Sequence, residues 1–335
     1  MYKRQSVNDA TGEFWQFYAT ELQSDTEYEL SLQDSSGNAL CEPWPLSTFP
    51  APQQNPEQVR VLFYTCAGGP EGEYFGIGDR RGNLPIAIRQ RLLKRGLSFT
   101  PQAAVANGDH IYWDLHTWQG DQAGELSPAG QRSNFDFAAR IMGGNNEEAM
   151  KLAAGPQIAP LYGTAFRSTP VYFLQDDHDH WENDAVTDDI ASFPVPWFQL
   201  QLARTTQQLY YPEFLPDDTR SPGLPYSSSS ARGELSESFG TLRYGQLLEV
   251  LLYDVRRTLS VGELNAAFLD SNVENWIVKR TASQDTRHLV HVPSNPPGWT
   301  AGKWGEWYPD VLHPDRPIDY PDSEATLATR LAQST

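Results

Sequence analysis

Three short stretches hold most of the residues whose types point to chemistry. Cys66 ends an apolar run and leads into Ala67-Gly68-Gly69. Gly108-Asp109-His110-Ile111-Tyr112 ends a second run. Asp176-Asp177-His178-Asp179 ends a third, with Asn183-Asp184 close behind. Thiolate, carboxylate and imidazole groups gathered in this way are donors for metal ions. An aspartate can bridge two cations, because each of its oxygens has lone pairs to give. Two cations about 4 Å apart polarise a phosphoryl oxygen, acidify bound water and clamp the attacking and leaving oxygens in line. Gly108 ahead of Asp109 keeps bulk away from that carboxylate.

For three such stretches to meet, each must sit at the end of a strand in one sheet. Residues 59–65 (VRVLFYT) form a dense β pattern before Cys66, residues 103–106 a short buried strand before Asn107-Gly108-Asp109, and residues 170–174 (PVYFL) another before the acidic run. Residues 84–95 (LPIAIRQRLLKR) repeat apolar positions at helical spacing between the first two. Strands are also expected at 239–244, 247–255 and 288–292, and a helix over 264–283. Strands alternating with helices predict an α/β layered domain, whose ligand loops gather at the carboxyl ends of the strands.

Taken in chain order, these motifs resemble the PhoD-like alkaline phosphatases within the wider metallophosphoesterases. That family places a Ser-Cys or similar pair after its first strand, Gly-Asp-x-Ile-Tyr after its second, and Asp-Asp-His-Asp/Glu with a downstream Asn-Asp or Asn-Asn after its third. This chain has Thr65-Cys66, then Gly108-Asp109-His110-Ile111-Tyr112, then Asp176-Asp177-His178-Asp179 with Asn183-Asp184. Residues 238–245 and 251–256 are similar to the family's paired central strands, and Trp304-Gly305-Glu306-Trp307-Tyr308-Pro309-Asp310 to a later loop of one subgroup.

The resemblance implies hydrolysis of a small phosphate ester by metal-activated water or hydroxide. It implies Fe3+ held by Cys66, Asp109 and Tyr112, with Ca2+ beside it on Asp109 and on Asp177 or Asn183. His178 would stand near the phosphate or leaving group as hydrogen-bond donor or general acid, and His110 is set down as a substrate contact. It further implies an extracellular or periplasmic location. The family's late Gly-Asp-x-His strand end has no counterpart after Arg256. The chain is therefore expected to be incomplete, to hold metal poorly and to turn over little by itself.

The first fifty residues have a different character. Alternating Tyr28, Leu30 and Leu32, the turn Asp34-Ser35-Ser36-Gly37-Asn38 and the runs at 14–22 and 46–49 are β-like. A sandwich needs about seven strands and roughly 100 residues. Residues 1–50 are accordingly expected to be the C-terminal part of an immunoglobulin-like or fibronectin-like β-sandwich, 51–57 a Pro-rich linker, and 58–335 the incomplete catalytic domain.

Composition narrows the alternatives. In 335 residues the net charge is −18, which disfavours nucleic-acid binding through a basic patch. No apolar run approaches the roughly 20 residues that span a bilayer. A non-catalytic calcium module would use the acidic loops but has no need of a thiolate. A glycosidase would use paired carboxylates without the Asp-Asp-His run. Each residue also has a plainer role open to it: Cys66 could pair with Cys41, Asp109 could cap a turn, and Tyr112 could pack in the core. His180 and His116 are expected at the surface or in loops, His288 and His291 in a strand, and Asp254 with Arg256 as an ion pair closing a strand.

Overall fold

The computed structural model describes residues 2–6, 15–69, 84–113, 134–181, 197–211, 239–256, 259, 268–269, 271–283 and 285–295. Asn183, Asp184, His116 and the 304–310 loop lie outside these residues, as does most of the 264–270 part of the expected helix.

β5 (Val61–Tyr64), β6 (Ala103–Asn107) and β7 (Val171–Leu174) form a parallel sheet in the order β5-β6-β7. The register pairs Val61 with Ala103 and Ala104 with Val171, so all three strands end at the same edge. A second sheet has the order β10-β9-β8, from β8 (Phe239–Tyr244), β9 (Leu248–Tyr253) and β10 (His288–Pro293). There β9 runs parallel to β10 and antiparallel to β8.

The two sheets pack face to face. Ala103, Val105 and Leu174 meet Leu242, Val250, Leu252 and Val292 in one buried cluster. On its other face the first sheet carries α1 (Ile86–Leu97), α2 (Asn145–Tyr162) and α3 (Trp197–Tyr210), through Ala104 with Leu93 and Leu161, and Ala106 with Ala153 and Leu202. The far face of the second sheet, at Leu251 and Tyr253, carries α4 (Ser271–Ala282) through Val273, Trp276 and Ile277. β6 is apolar on both faces because it is covered on both, as expected of a strand inside a parallel sheet. Burying a side chain such as Leu252 or Val250 in this way contributes about 1.5–3 kcal/mol. α4 is tied to β9 by a bidentate ion pair between Arg280 and Glu249, both buried.

Strand positions follow the sequence pattern closely, whereas two helices do not. α2 contains Pro156 and Pro160, which ordinarily argue against a helix. Both lie on the exposed face with Leu152, one helical turn apart, so the carbonyls they leave unbonded face water. Ala149, Met150, Ala153, Gln157, Ile158 and Leu161 make up the buried face. α3 hides its nature differently: Gln199, Arg204, Thr205, Thr206 and Gln207 are buried beside its apolar residues, so its inward face is not marked by apolar residues alone.

Before the first sheet lie two antiparallel hairpins, β1 (Tyr2–Ser6) with β2 (Trp15–Ala19) and β3 (Glu27–Leu30) with β4 (Trp44–Ser47). The Pro-rich segment after them is docked, not free. Phe49 packs edge-on against Tyr244 at 5.5 Å, and Gln54 O accepts the Gln246 N–H at 2.8 Å. Gly245, at φ +57, admits that contact because a Cβ there would lie 2.5 Å from Gln54 O. Cys41 and Cys66 are both free thiols.

At the far end of α4, Asp285 accepts hydrogen bonds from Ser283 and from Arg243, the latter at 2.7 Å. These hold its carboxyl down at about 2, below the usual 3.8. A depressed acid contributes stability above its unfolded value and loses it as the pH falls through the folded one. Asp285→Asn is therefore expected to cost less than ~1 kcal/mol at neutral pH, the pair being solvated. That cost should shrink toward zero between pH 4 and pH 2. Urea unfolding across that range measures it, and a pH-independent cost would remove the pair from the account.

Candidate metal centre

Three loops converge at the carboxyl edge of the first sheet. The loop after β5 is held by main-chain bonds to the loop after β6: Cys66 N–H to Gly108 O at 3.3 Å and Gly68 N–H to Asp109 O at 3.0 Å. Gly68 permits this approach, since a Cβ there would fall 2.0 Å from His110 O. Arg89 of α1 donates to the carbonyls of Ala67 and Gly68, and Gln157 Oε1 of α2 accepts from Gly69 and Tyr112 N–H groups, each at 2.9 Å. Gly108, at φ +88, lies against Asp176, where a Cβ would come within 2.4 Å of the aspartate's own.

The loop after β7 is joined to the loop after β6 by one side chain. Asp179, 1% exposed, accepts four backbone N–H groups. Its Oδ1 takes His110 and Ile111, both at 2.8 Å, and its Oδ2 takes Asp109 at 2.8 Å and Asp176 at 3.0 Å. Burial pushes its carboxyl up to about 6, while the N–H donors pull the other way.

Asp109 stands at the centre of the edge, 6% exposed, with its backbone at φ 61. Its Oδ2 accepts from the Cys66 thiol at 3.1 Å and from the Tyr112 hydroxyl at 3.3 Å. Its Oδ1 is buried without a hydrogen-bond partner. Asp109, Asp177 and His178 each offer a ligand atom, all within 4.8 Å of one another. Asp109 is thus shared between the thiol and phenol bonded to its Oδ2 and the neighbouring Asp177 carboxylate and His178 imidazole. The His178 ring lies on that of Tyr112, with centroids 4.1 Å apart.

The electrostatics follow from this crowding. Burial first, then Asp177, push Asp109 up to about 7, with His178 opposing. Cys66 is exposed by surface area, yet its thiol is crowded enough that desolvation, then Asp109, carry it to about 11. Tyr112 is raised further for the same reasons. Each shift is in the direction that a nearby cation reverses. A bare buried carboxylate oxygen beside a second carboxylate and an imidazole suits a cation, and the thiol and phenol suit one that accepts softer anionic donors.

His110 is elsewhere. It is 1% exposed, its Nε2 lies 2.7 Å from Leu174 O, and its ring meets Phe173 and Tyr211 edge-on. Burial lowers its pKa to about 4, which leaves it neutral. His180 corrects the surface expectation: it is fully buried, with Nε2 3.4 Å from Asp254 Oδ2. The short 3-10 turn His178–His180 rotates it inward, where it meets the end of the second sheet. The expected Asp254–Arg256 pair is only a main-chain bond, Arg256 N–H to Asp254 Oδ1 at 2.8 Å. The Arg256 guanidinium instead reaches Asp176 and Asp177. Gln157 has no place in the sequence reading, and Arg256 enters it with a different partner. Gln157 lies on the helix hidden by its prolines, and the reach of Arg256 across the sheets leaves no local signal.

Fold and site together define an α/β protein of two packed sheets with an acidic, thiol- and phenol-bearing cluster on one sheet edge. No family model matches the chain, and no curated protein matches it. Among solved structures it is similar to one titled "Structure of PhoD", with a TM-score of 0.49 and 15% identity over 83% of this chain. The match covers 49% of that structure's chain, so this chain spans about half its length. No helix among the described residues is long and apolar enough to cross a membrane.

Proposed function

We propose that this chain belongs to a metal-dependent phosphoester hydrolase. The observation that carries the reading is the shared carboxylate: Asp109 has Cys66 and Tyr112 on one oxygen, a buried second oxygen with no hydrogen-bond partner, and Asp177 and His178 close enough to offer ligand atoms beside it. A purely structural aspartate would have both oxygens satisfied, and an oxygen-only calcium module has no use for the thiol.

In this reading Cys66, Asp109 and Tyr112 would hold an iron(III), while Asp109 with Asp177 or Asn183 would hold calcium. The bound cations supply Lewis acidity toward the phosphoryl oxygens and lower the pKa of water. The protein's own part is positional. Asp179 and Gln157 fix the backbone that carries Asp109 and Tyr112, and the Tyr112 ring orients His178. The His178 imidazole then hands a proton to the leaving oxygen of a small phosphate ester. His110 supports the loop from below; a substrate contact for it requires the loop to open. Export to the periplasm or medium, and a β-sandwich origin for residues 1–50, belong to the same reading.

Hydrolysis of p-nitrophenyl phosphate and its bis ester, with and without a chelator, tests the assignment and separates monoesterase from diesterase. Turnover is expected to vanish with chelator; hydrolysis untouched by metal removal would refute the reading. His178→Ala is expected to lower turnover by about 100-fold or more, within the range of general acid catalysis, with metal content retained. Loss of bound metal in that variant would make His178 a ligand instead.

A further inference from the structure

Asp176 and Asp177 are neighbours at the same strand end, yet only Asp177 joins Asp109 and His178 in the cluster. Arg256 contacts both, but not equally. It lies just beyond β9, in the other sheet, and is 2% exposed. Its Nε is 2.5 Å from Asp176 Oδ1, whereas its Nη2 is 3.8 Å from Asp177 Oδ1. The arginine is itself fixed from behind: its N–H is bonded to Asp254 Oδ1, and Asp254 Oδ2 faces His180. Gly108 packs against the Cβ of Asp176, which limits the positions open to that aspartate.

We propose that Arg256 sets how many carboxylates the centre presents to a cation, by pairing closely with Asp176 while reaching Asp177 only at longer range. It is a positioning residue and rests on the metal-centre reading above. A hard cation gains affinity with each added carboxylate oxygen, so an arginine that withholds one fixes both affinity and preference among cations. Holding affinity down suits a centre whose metals must also bind and release an anionic substrate.

Calorimetric titration of the whole chain with Ca2+ alone tests this, with circular dichroism as the check on folding. Arg256→Met removes the guanidinium and should release Asp176, raising Ca2+ affinity about tenfold, the order expected for one more charged ligand. Adding Asp176→Asn to Arg256→Met should cancel the gain, and Arg256→Lys, which keeps a cation beside Asp176, should bind within about twofold of wild type. Asp176→Asn alone should also stay within about twofold, because Asp176 is not a ligand while Arg256 holds it.

Unchanged or weaker binding by folded Arg256→Met overturns the proposal. So does a tenfold loss in Asp176→Asn, an arm that stands even if Arg256→Met fails to fold. Wild-type protein that takes up no Ca2+ overturns the proposal and the calcium reading together. Uptake by wild type with no change in the variants overturns the arginine role alone.

Discussion

Asp109→Asn is expected to abolish metal uptake and turnover together while leaving the fold at least as stable as before. Both donor sets pass through this one side chain, with Oδ2 under Cys66 and Tyr112 and Oδ1 bare. An asparagine has the same shape but no charge. Its NH2 must face either the thiol and hydroxyl donors or the place of a cation, and each orientation removes a donor atom from one set. Loss of a group that merely orients a ligand weakens metal binding by about 10–100-fold, so loss of a shared ligand should exceed that. The fold should not suffer, because burial and Asp177 already make this charge unfavourable without a cation. Metal content after dialysis, p-nitrophenyl phosphate turnover and a urea melt read the three outcomes separately. Metal retention within a few-fold of wild type would remove Asp109 from the centre.

Asp179→Asn is expected to act in the opposite way, through the scaffold. Its carboxylate accepts four backbone N–H groups, two per oxygen. In asparagine one oxygen becomes an NH2 that points at two donors, leaving both unpaired in a buried place. Each unpaired buried group costs about 1–3 kcal/mol, so a total near 3–5 kcal/mol is expected. Against an overall stability of about 5–15 kcal/mol, that is a large fraction. The pair released is either Asp109 with Asp176 or His110 with Ile111, and both pairs include the loop that carries Asp109, so cation binding should fall too, although Asp179 offers no free oxygen. Equilibrium unfolding of the metal-free protein measures the loss. A cost below ~1 kcal/mol would show that the loops hold together by other means.

The contrast between these two aspartates marks what could be read locally. A single carboxylate after a glycine at a strand end is recognisable by its spacing, and Asp109 was legible for that reason. Asp179 lies in an equally acidic run, and its distinct role depends on amides 68 to 70 residues away. Nothing in Asp176-Asp177-His178-Asp179 by itself tells which carboxylate faces a cation, which an arginine and which a ring of N–H groups.

The strands and their polar ends can be read from the local pattern of residues. β6 and β9 are continuous, almost wholly buried runs, because a strand covered on both faces must be apolar on both, while β5, β7, β8 and β10 show through β-rich runs that end at turn residues. The same pattern brings Cys66, Asp109 and the whole run from Asp176 to Asp179 to one sheet edge, since a strand's register carries its loop with it. Only the tertiary structure decided the long-range pairings: Arg256 with Asp176, His180 with Asp254, and Asn107 Nδ2 with Pro293 O at 3.1 Å. These cross from one sheet to the other, over separations of 74 to 186 residues. Their partners are selected by how two apolar faces pack, a property of the assembled core and not of any single stretch of chain.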